Sequence, residues 1–345
     1  MLFLFCNFFE NKNYDQRSNV FAFYQRDLLL SADELFYLLE QFFPFDMFNL
    51  QNSVPRPVKF HFALKHPLKK KKKNNNNNNK MSSRFAGKVA VVTGSTAGIG
   101  KAIAHRLAEE GATVVITSRK AESVEKEVKE LTSKGRKAVG MASHQGSVAD
   151  VQKLIDFVIS KCGRLDIVVV NAASNVHFGS MMSATEKQWV YFFFFFLVIL
   201  YFCKIFEVNV KGSFFLVQKA HPHLKKVKGS VVLVSSIGAY ESEPTLGIYN
   251  ASKTALLGLT HGLSKELGRD GIRVNCIAPG LIPTKFSDAL VSNKIARDLM
   301  VSRTSLNRLG TPEDCAGVVA FLCSEDAAYI TGETIAIAGG TRSRL

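Results

Sequence analysis

A short apolar strand that runs straight into a glycine turn and then a helix leaves this chain few folds to adopt. Lys88–Thr93 reads as the strand, Gly94-Ser95-Thr96-Ala97-Gly98-Ile99-Gly100 as the turn, and Lys101–Glu110 as the helix, closed by Gly111. That order brings backbone N–H groups and a helix N-terminus to one point, where a pyrophosphate can sit. The glycines let the chain turn tightly and let a ligand approach the backbone. The spacing is Gly-x-x-x-Gly-x-Gly rather than Gly-x-Gly-x-x-Gly, so the strand and helix around the turn carry the weight.

The pattern then repeats. Strand Thr113–Thr117 is followed by helix Glu122–Ser133 with Gly135 after it, strand Lys137–Ala142, helix Ala149–Lys161 and strand Ile167–Val170. Further strands read at Ser230–Val234, Arg273–Ala278 and Thr334–Ala338, and Thr311-Pro312 opens a helix over Glu313–Cys323. Alternating strands and helices predict an α/β fold, a doubly wound parallel sheet of Rossmann-like type in a single domain. In such a sheet the carboxyl ends of the strands face one crevice. Asn171-Ala172-Ala173, Ser235-Ser236 and Pro279-Gly280 stand at three such ends.

The end of the second strand bears on the ligand. Sheets that bind NAD carry an acid about 20 residues past the glycines, for the ribose hydroxyls. Here the strand ends in Ser118-Arg119-Lys120, with no acid. A carboxylate would repel a 2′-phosphate, whereas a guanidinium grips one with two hydrogen bonds. NADP(H) is therefore the expected cofactor, with a solvated basic turn as the alternative.

Tyr249 and Lys253 add chemistry. They are four apart at the start of a run (Ala255, Leu256, Leu257, Leu259, Leu263, Leu267) with helical periodicity. On a helix, positions i and i+4 share a face. A tyrosine titrates near ~10 and is a poor acid or base at neutral pH, but a fixed cation beside it favours the phenolate. Such pairs are common on helices, and the spacing alone does not establish catalysis.

In order along the chain stand Thr93-Gly94-x-x-x-Gly98-Ile99-Gly100, Asn171-Ala172-Ala173, Asn209, Ser236, Tyr249-x-x-x-Lys253 and Pro279-Gly280. With these the chain resembles the classical short-chain dehydrogenase/reductases from about Phe85 onward. Asn171-Ala172-Ala173-Ser174-Asn175 with Phe178-Gly179, Lys253 to Thr260, and Pro312 to Gly317 are similar to one branch, peroxisomal NADP(H)-dependent carbonyl and retinal reductases. The resemblance implies Tyr249 as general acid in reduction and base in oxidation, and Lys253 as the residue that holds the nicotinamide ribose and lowers the Tyr249 pKa. It implies that Ser236 bonds the substrate oxygen and that Asn209 supports a proton-relay water. Gly94, Ser95, Thr96, Gly98, Ile99, Gly100, Ser118, Arg119, Lys120, Asn171, Ala172, Pro279, Gly280, Ile282 and Thr284 complete the expected cofactor site. Many classical members have Asp after the third strand to hold the adenine. This chain offers His144, either a hydrogen-bonding replacement or a plain loop residue. Phe286–Thr304, with Leu290, Ile295, Leu299 and Met300, is the expected cover for a bulky apolar carbonyl or alcohol substrate. No nucleic-acid partner and no metal are expected, and a homotetramer is.

Composition separates this domain from its surroundings. Of the net +15, +5 belongs to residues 1–80, which carry twelve Lys and Arg against seven Asp and Glu. That stretch is rich in Phe and Asn and ends in Lys69–Lys73, Asn74–Asn79 and Lys80. It reads as a low-complexity extension, from A-rich codons upstream of a start at Met81, rather than as a nucleic-acid or nuclear-address segment. The domain is placed at residues 81–345. The six cysteines of the whole chain lack Cys-x-x-Cys or metal-ligand spacing, which favours free thiols. The chain ends in Ser343-Arg344-Leu345, a variant of the Ser-Lys-Leu peroxisomal address.

Val190–Phe202 departs from the family pattern. These thirteen residues are apolar throughout, separate Trp189 from Cys203, and have no counterpart in the resembled branch. They fall short of the ~20 needed to span a bilayer. A translated short intron is the preferred reading, since a thymine-rich tract encodes Phe-rich runs and a Val codon supplies the GT of a donor site. A buried helix or a membrane-dipping hairpin are the alternatives. Two further rivals follow from it: a catalytically impaired NADP-binding protein, because the tract lies just before Asn209, and a membrane-attached dehydrogenase. Of the 265 residues from Met81 to Leu345, removing these 13 leaves 252, a sensible single domain. Exposed apolar patches of this size promote association. A protein starting at Met81 and lacking 190–202 is therefore expected to be more soluble and more active, and the mature transcript to lack the tract. A transcript that keeps it, together with activity lost on excision, would make the tract native.

Overall fold

The computed structural model describes residues 83–175, 204–242 and 244–341. The chain divides into two compact units, 1–75 and 76–345, and every described residue belongs to the second. The expectations for residues 1–80, for Val190–Phe202 and for Ser343-Arg344-Leu345 fall outside the described residues.

The strands are apolar nearly end to end, which suits a sheet covered on both faces. They are β1 (Val89–Thr93), β2 (Thr113–Thr117), β3 (Ala138–Gly140), β4 (Ile167–Val170), β5 (Ser230–Val234), β6 (Arg273–Pro279) and β7 (Thr334–Ile337). Together they form one parallel sheet in the order β3-β2-β1-β4-β5-β6-β7. Val91 is in register with Val115 on one side and Val168 on the other.

Successive strand residues point to opposite faces, and the core divides accordingly. Ala90 and Val92 face one cluster with Ile103 and Leu107 of α1 (Gly98–Glu109) and Leu131 of α2 (Ala121–Ser133). Val89 and Val91 face the other, with Leu154 and Ile155 of α3 (Val148–Cys162) and Leu216 and Leu224 of α4 (Gly212–Val227). Leu256 and Leu263 of α5 (Gly247–Leu267) join that second face. Each fully buried Leu, Ile or Val side chain contributes about 1.5–3 kcal/mol. Two further helices, α6 (Asp288–Val291) and α7 (Lys294–Ser302), occupy the stretch expected to cover substrate. Last comes α8 (Pro312–Cys323), whose Val319 and Leu322 pack on the first face.

The helix ends follow their capping residues. Ser147 accepts the Asp150 N–H at the start of α3, and Thr311 with Asp314 forms a capping box on α8. Before α4 the chain runs through the helical segment Lys204–Phe206 and a π turn, Glu207–Lys211, which holds Asn209. No helix of the described residues is long and apolar enough to cross a membrane.

Candidate active site

The order of the strands creates the site. Crossovers run outward in opposite directions from β1 and β4, and the loops after these strands part to leave a crevice. It holds a cavity of about 1210 Å³. Thr93 fixes its floor: its Oγ1 accepts the N–H of Asn171 and of Ala172, both at 3.0 Å. The Asn171 amide returns the bond, Nδ2 donating to Thr93 O at 2.9 Å and Gly94 O at 3.3 Å.

The glycine turn fits a dinucleotide on stereochemical grounds. Gly94 and Gly98 have φ of +64° and +55°, in the left-handed region. A Cβ on Gly94 would lie 3.0 Å from Asn171 Nδ2, and one on Gly98 3.0 Å from the Thr284 methyl. Gly100 is tighter, since a Cβ there would come within 2.4 Å of the Gly94 carbonyl oxygen. The residue before α1, Ala97, supplies no side-chain cap, so the first N–H groups of the helix keep their donors for a ligand.

Most of the expected cofactor residues line the cavity. Gly94, Thr96, Gly98 and Ile99 line it from the turn, and Ser118, Arg119 and Lys120 from the end of β2. His144, Asn171 and Ala172 do so from the loops after β3 and β4, and Pro279, Gly280, Ile282 and Thr284 from beyond β6. Ser95 and Gly100 do not. Ser95 is fully buried, its Oγ accepting the Thr117 N–H at 2.9 Å, and it ties the turn to β2 instead of facing a ligand. Gly100 is buried beneath Gly94 and supports the turn by its lack of a side chain.

The chemical end gathers around α5. Lys253 is 2% exposed, and its Nζ donates to Val234 O at 2.7 Å and lies 5.6 Å from the Tyr249 ring centroid. Ser235 Oγ donates to the Lys253 carbonyl at 2.8 Å, which fixes the helix to the end of β5. Ser236 is hydrogen-bonded to Tyr249 and also accepts the Gly238 N–H at 3.1 Å. Burial pushes the Tyr249 phenol above its ordinary range, opposed by the Ser236 bond. Burial also lowers Lys253 to about 8, partly offset by Cys276. The Lys253 ammonium is aimed at a carbonyl, and desolvation weakens its charge.

Asn209 is tied to both sides of the site. Its side chain is 1% exposed and spent within the protein: Oδ1 accepts the Ser174 N–H at 2.8 Å, and Nδ2 donates to Ser174 O at 3.0 Å and Ser252 Oγ at 2.9 Å. Ser252 Oγ in turn donates to the Tyr249 carbonyl at 2.6 Å. Asn209 therefore clamps the exit of β4 to the active helix.

Sequence reasoning missed several of these residues. Gln145 donates to Ala172 O at 3.0 Å and Val208 O at 2.9 Å, joining the loops after β3 and β4 to the π turn. Nothing in its local spacing marks it. Ser235 and Ser252 each adjoin a residue of the expected catalytic set, and their spacing alone does not separate them from it. Away from the cleft, His105, Glu127 and Glu130 bring three potential ligand atoms within 4.8 Å of one another. Lys101 Nζ already sits on both carboxylates, at 3.0 Å and 2.6 Å, and supplies the positive charge there.

Comparison with known proteins agrees with this geometry. The family model described as enoyl-(acyl carrier protein) reductase matches residues 94–342. The chain is 49% identical over 259 residues to dehydrogenase/reductase SDR family member 4 of Sus scrofa, covering 75% of this chain and 88% of that protein. It is 46% identical over 262 residues to tropinone reductase-like 3 of Erythroxylum coca, covering 76% and 96%. Among solved structures, a gluconate 5-dehydrogenase from Burkholderia cenocepacia in complex with NADP and tartrate superposes with a TM-score of 0.70 at 28% identity, covering 77% of this chain and 99% of that one.

If Tyr249 is the proton donor, Tyr249→Phe removes the hydroxyl and leaves the ring packing. Turnover should fall by at least about 100-fold, the scale of a lost general acid, with NADPH binding measured by fluorescence largely retained. Retention of most of the wild-type rate would exclude the assignment.

Proposed function

The chain belongs to the short-chain dehydrogenase/reductase family of oxidoreductases, and from that premise we propose that it reduces apolar ketones and aldehydes to alcohols with NADPH. Retinal, aromatic ketones, dicarbonyls and ketosteroids are the candidate substrates, and the reaction is reversible. The observation that carries the reading is the Ser236–Tyr249–Lys253 group at the cavity floor, beside a glycine turn that has no room for side chains.

When bound, NADPH supplies the hydride that goes to the carbonyl carbon. The protein's part is the oxygen. As the C=O bond is reduced, negative charge develops on oxygen, and a positioned donor must neutralise it. Tyr249 gives up its phenolic proton there, and the Ser236 hydroxyl bonds the same oxygen. Burial alone holds the phenol above its ordinary range and makes it a weaker acid, and the Ser236 bond acts in the opposite direction, toward the working range. Lys253, at about 8, loses its charge as pH rises through that value and is poised to pass a proton on. In the reading the same ammonium holds the nicotinamide ribose. In the reading Asn209 supports the proton-relay water, and its clamp on Ser252 holds the active helix.

NADP(H) is supported over NAD(H) by the two cations that line the cavity at the end of β2, Arg119 and Lys120. Both are exposed there, so each can reach a 2′-phosphate at little desolvation cost. The reading also includes a homotetramer, a domain at 81–345 without residues 190–202, and peroxisomal delivery by Ser343-Arg344-Leu345.

Two experiments test these points. Arg119→Asp should raise the KM for NADPH by about 10-fold or more and leave that for NADH within a few-fold, because it replaces attraction to the 2′-phosphate by repulsion. Equal effects on both cofactors would count against the assignment. Deleting Ser343-Arg344-Leu345 should leave the enzyme active but cytosolic, and unchanged peroxisomal localisation of the truncated protein would refute the address.

A further inference from the structure

The cavity extends beyond Tyr249 to a wall whose chemistry the carbonyl itself does not require. Residues 282–287 form a turn tied by Ser287, whose Oγ donates to Ile282 O at 2.6 Å and accepts the Thr284 N–H at 2.9 Å. This turn spreads three consecutive side chains. Thr284 packs toward Gly98, and Phe286 lies against Tyr249 with ring centroids 5.5 Å apart, yet stays 44% exposed. Between them Lys285 is exposed, and it lines the same cavity.

Met300 and Leu306 line the same cavity, as do the cations Arg303 and Lys204 and the acid Glu241. Asp314 also lines the cavity, but Arg308 holds it with two bonds, at 2.7 Å and 3.1 Å. Among the described residues, neither Lys204 nor Lys285 has an acidic partner. A cleft lined by one sign of charge over apolar walls concentrates ligands of the opposite sign. A neutral ketone would draw nothing from these cations, whereas a carboxylate at the far end of an apolar body would face them.

We propose that this site selects apolar ketones or aldehydes that carry a carboxylate, with the apolar body on Phe286 and Met300 and the carboxylate toward Lys285. The proposal rests on the carbonyl-reductase reading and names its substrate class. The test uses 4-acetylbenzoate and its methyl ester, with NADPH, on the full-length enzyme. In the wild type at low salt, kcat/KM for the acid should exceed that for the ester by roughly threefold to tenfold, the scale of a partly exposed ion pair. The preference should shrink as salt screens it. In Lys285→Glu, and less strongly in Lys204→Glu, the ratio of acid to ester should fall below one. Equal use of acid and ester by the wild type, or a preference that survives both salt and Lys285→Glu, overturns the proposal while leaving carbonyl reduction intact. Turnover of neither compound, nor of retinal or a ketosteroid, overturns the carbonyl-reductase reading and this inference with it.

Discussion

Two hydrogen bonds accepted by one hydroxyl hold the working geometry together. Thr93 Oγ1 takes the N–H groups of Asn171 and Ala172, joining the ends of β1 and β4 where their connections diverge. A parallel sheet offers no side-chain variety in its interior, because both faces are buried and apolar. Its chemistry must therefore be placed at strand ends. The Thr93 bonds bring the glycine turn and the loop after β4 to a fixed separation. The Asn171 amide then bonds the backbone of the turn itself. The positive φ at Gly94 and the missing Cβ of Gly100 are both consequences of this close approach. Substituting either glycine would press on the same few atoms.

The active helix is fixed by a second set of polar contacts. Ser235 holds the Lys253 carbonyl, Ser252 holds that of Tyr249, and Asn209 holds Ser252. These bonds are buried, where an unmade partner is costly, so they fix the helix more firmly than exposed contacts could. Burial also sets the protonation of the pair. It pushes the phenol up and the ammonium down, so both neutral forms are favoured. A neutral Tyr249 is the state that donates a proton to an oxygen acquiring charge.

The sequence made the frame legible because strand and helix signals here are local. β2, β4 and β5 have the bounds that their apolar runs predict, and α2 and α8 begin one residue early. β3 is shorter than expected, since only Ala138–Gly140 pairs with β2. The cleft residues were legible where a strand ended in a polar or small residue. Roles that depend on direction were not. Ser95 lies in the turn by sequence but points into the protein, and Asn209 stands in register with the family while its amide is committed to Ser174 and Ser252. Spacing identifies a position, but only neighbours in space decide what a side chain faces. Gln145 illustrates the same limit, because its partners Ala172 and Val208 lie 27 and 63 residues away.

The clamp by Asn209 also bears on the apolar tract before it. β4 ends at Val170 with Ser174 just past it, and the two bonds between Asn209 and Ser174 join this exit to the π turn. Residues added between two joined points lengthen the connection without altering the points themselves. The closure cost grows only by about 0.6 kcal/mol for each doubling of length. The clamp is made with Val190–Phe202 present in the sequence, and Asn209 keeps its bonds to Ser174 and Ser252. The bonds that hold Asn209 are thus made by residues on either side of the connection and do not depend on its length. The bonds that orient Tyr249 run through Asn209 and Ser252, both of which follow that connection in the chain.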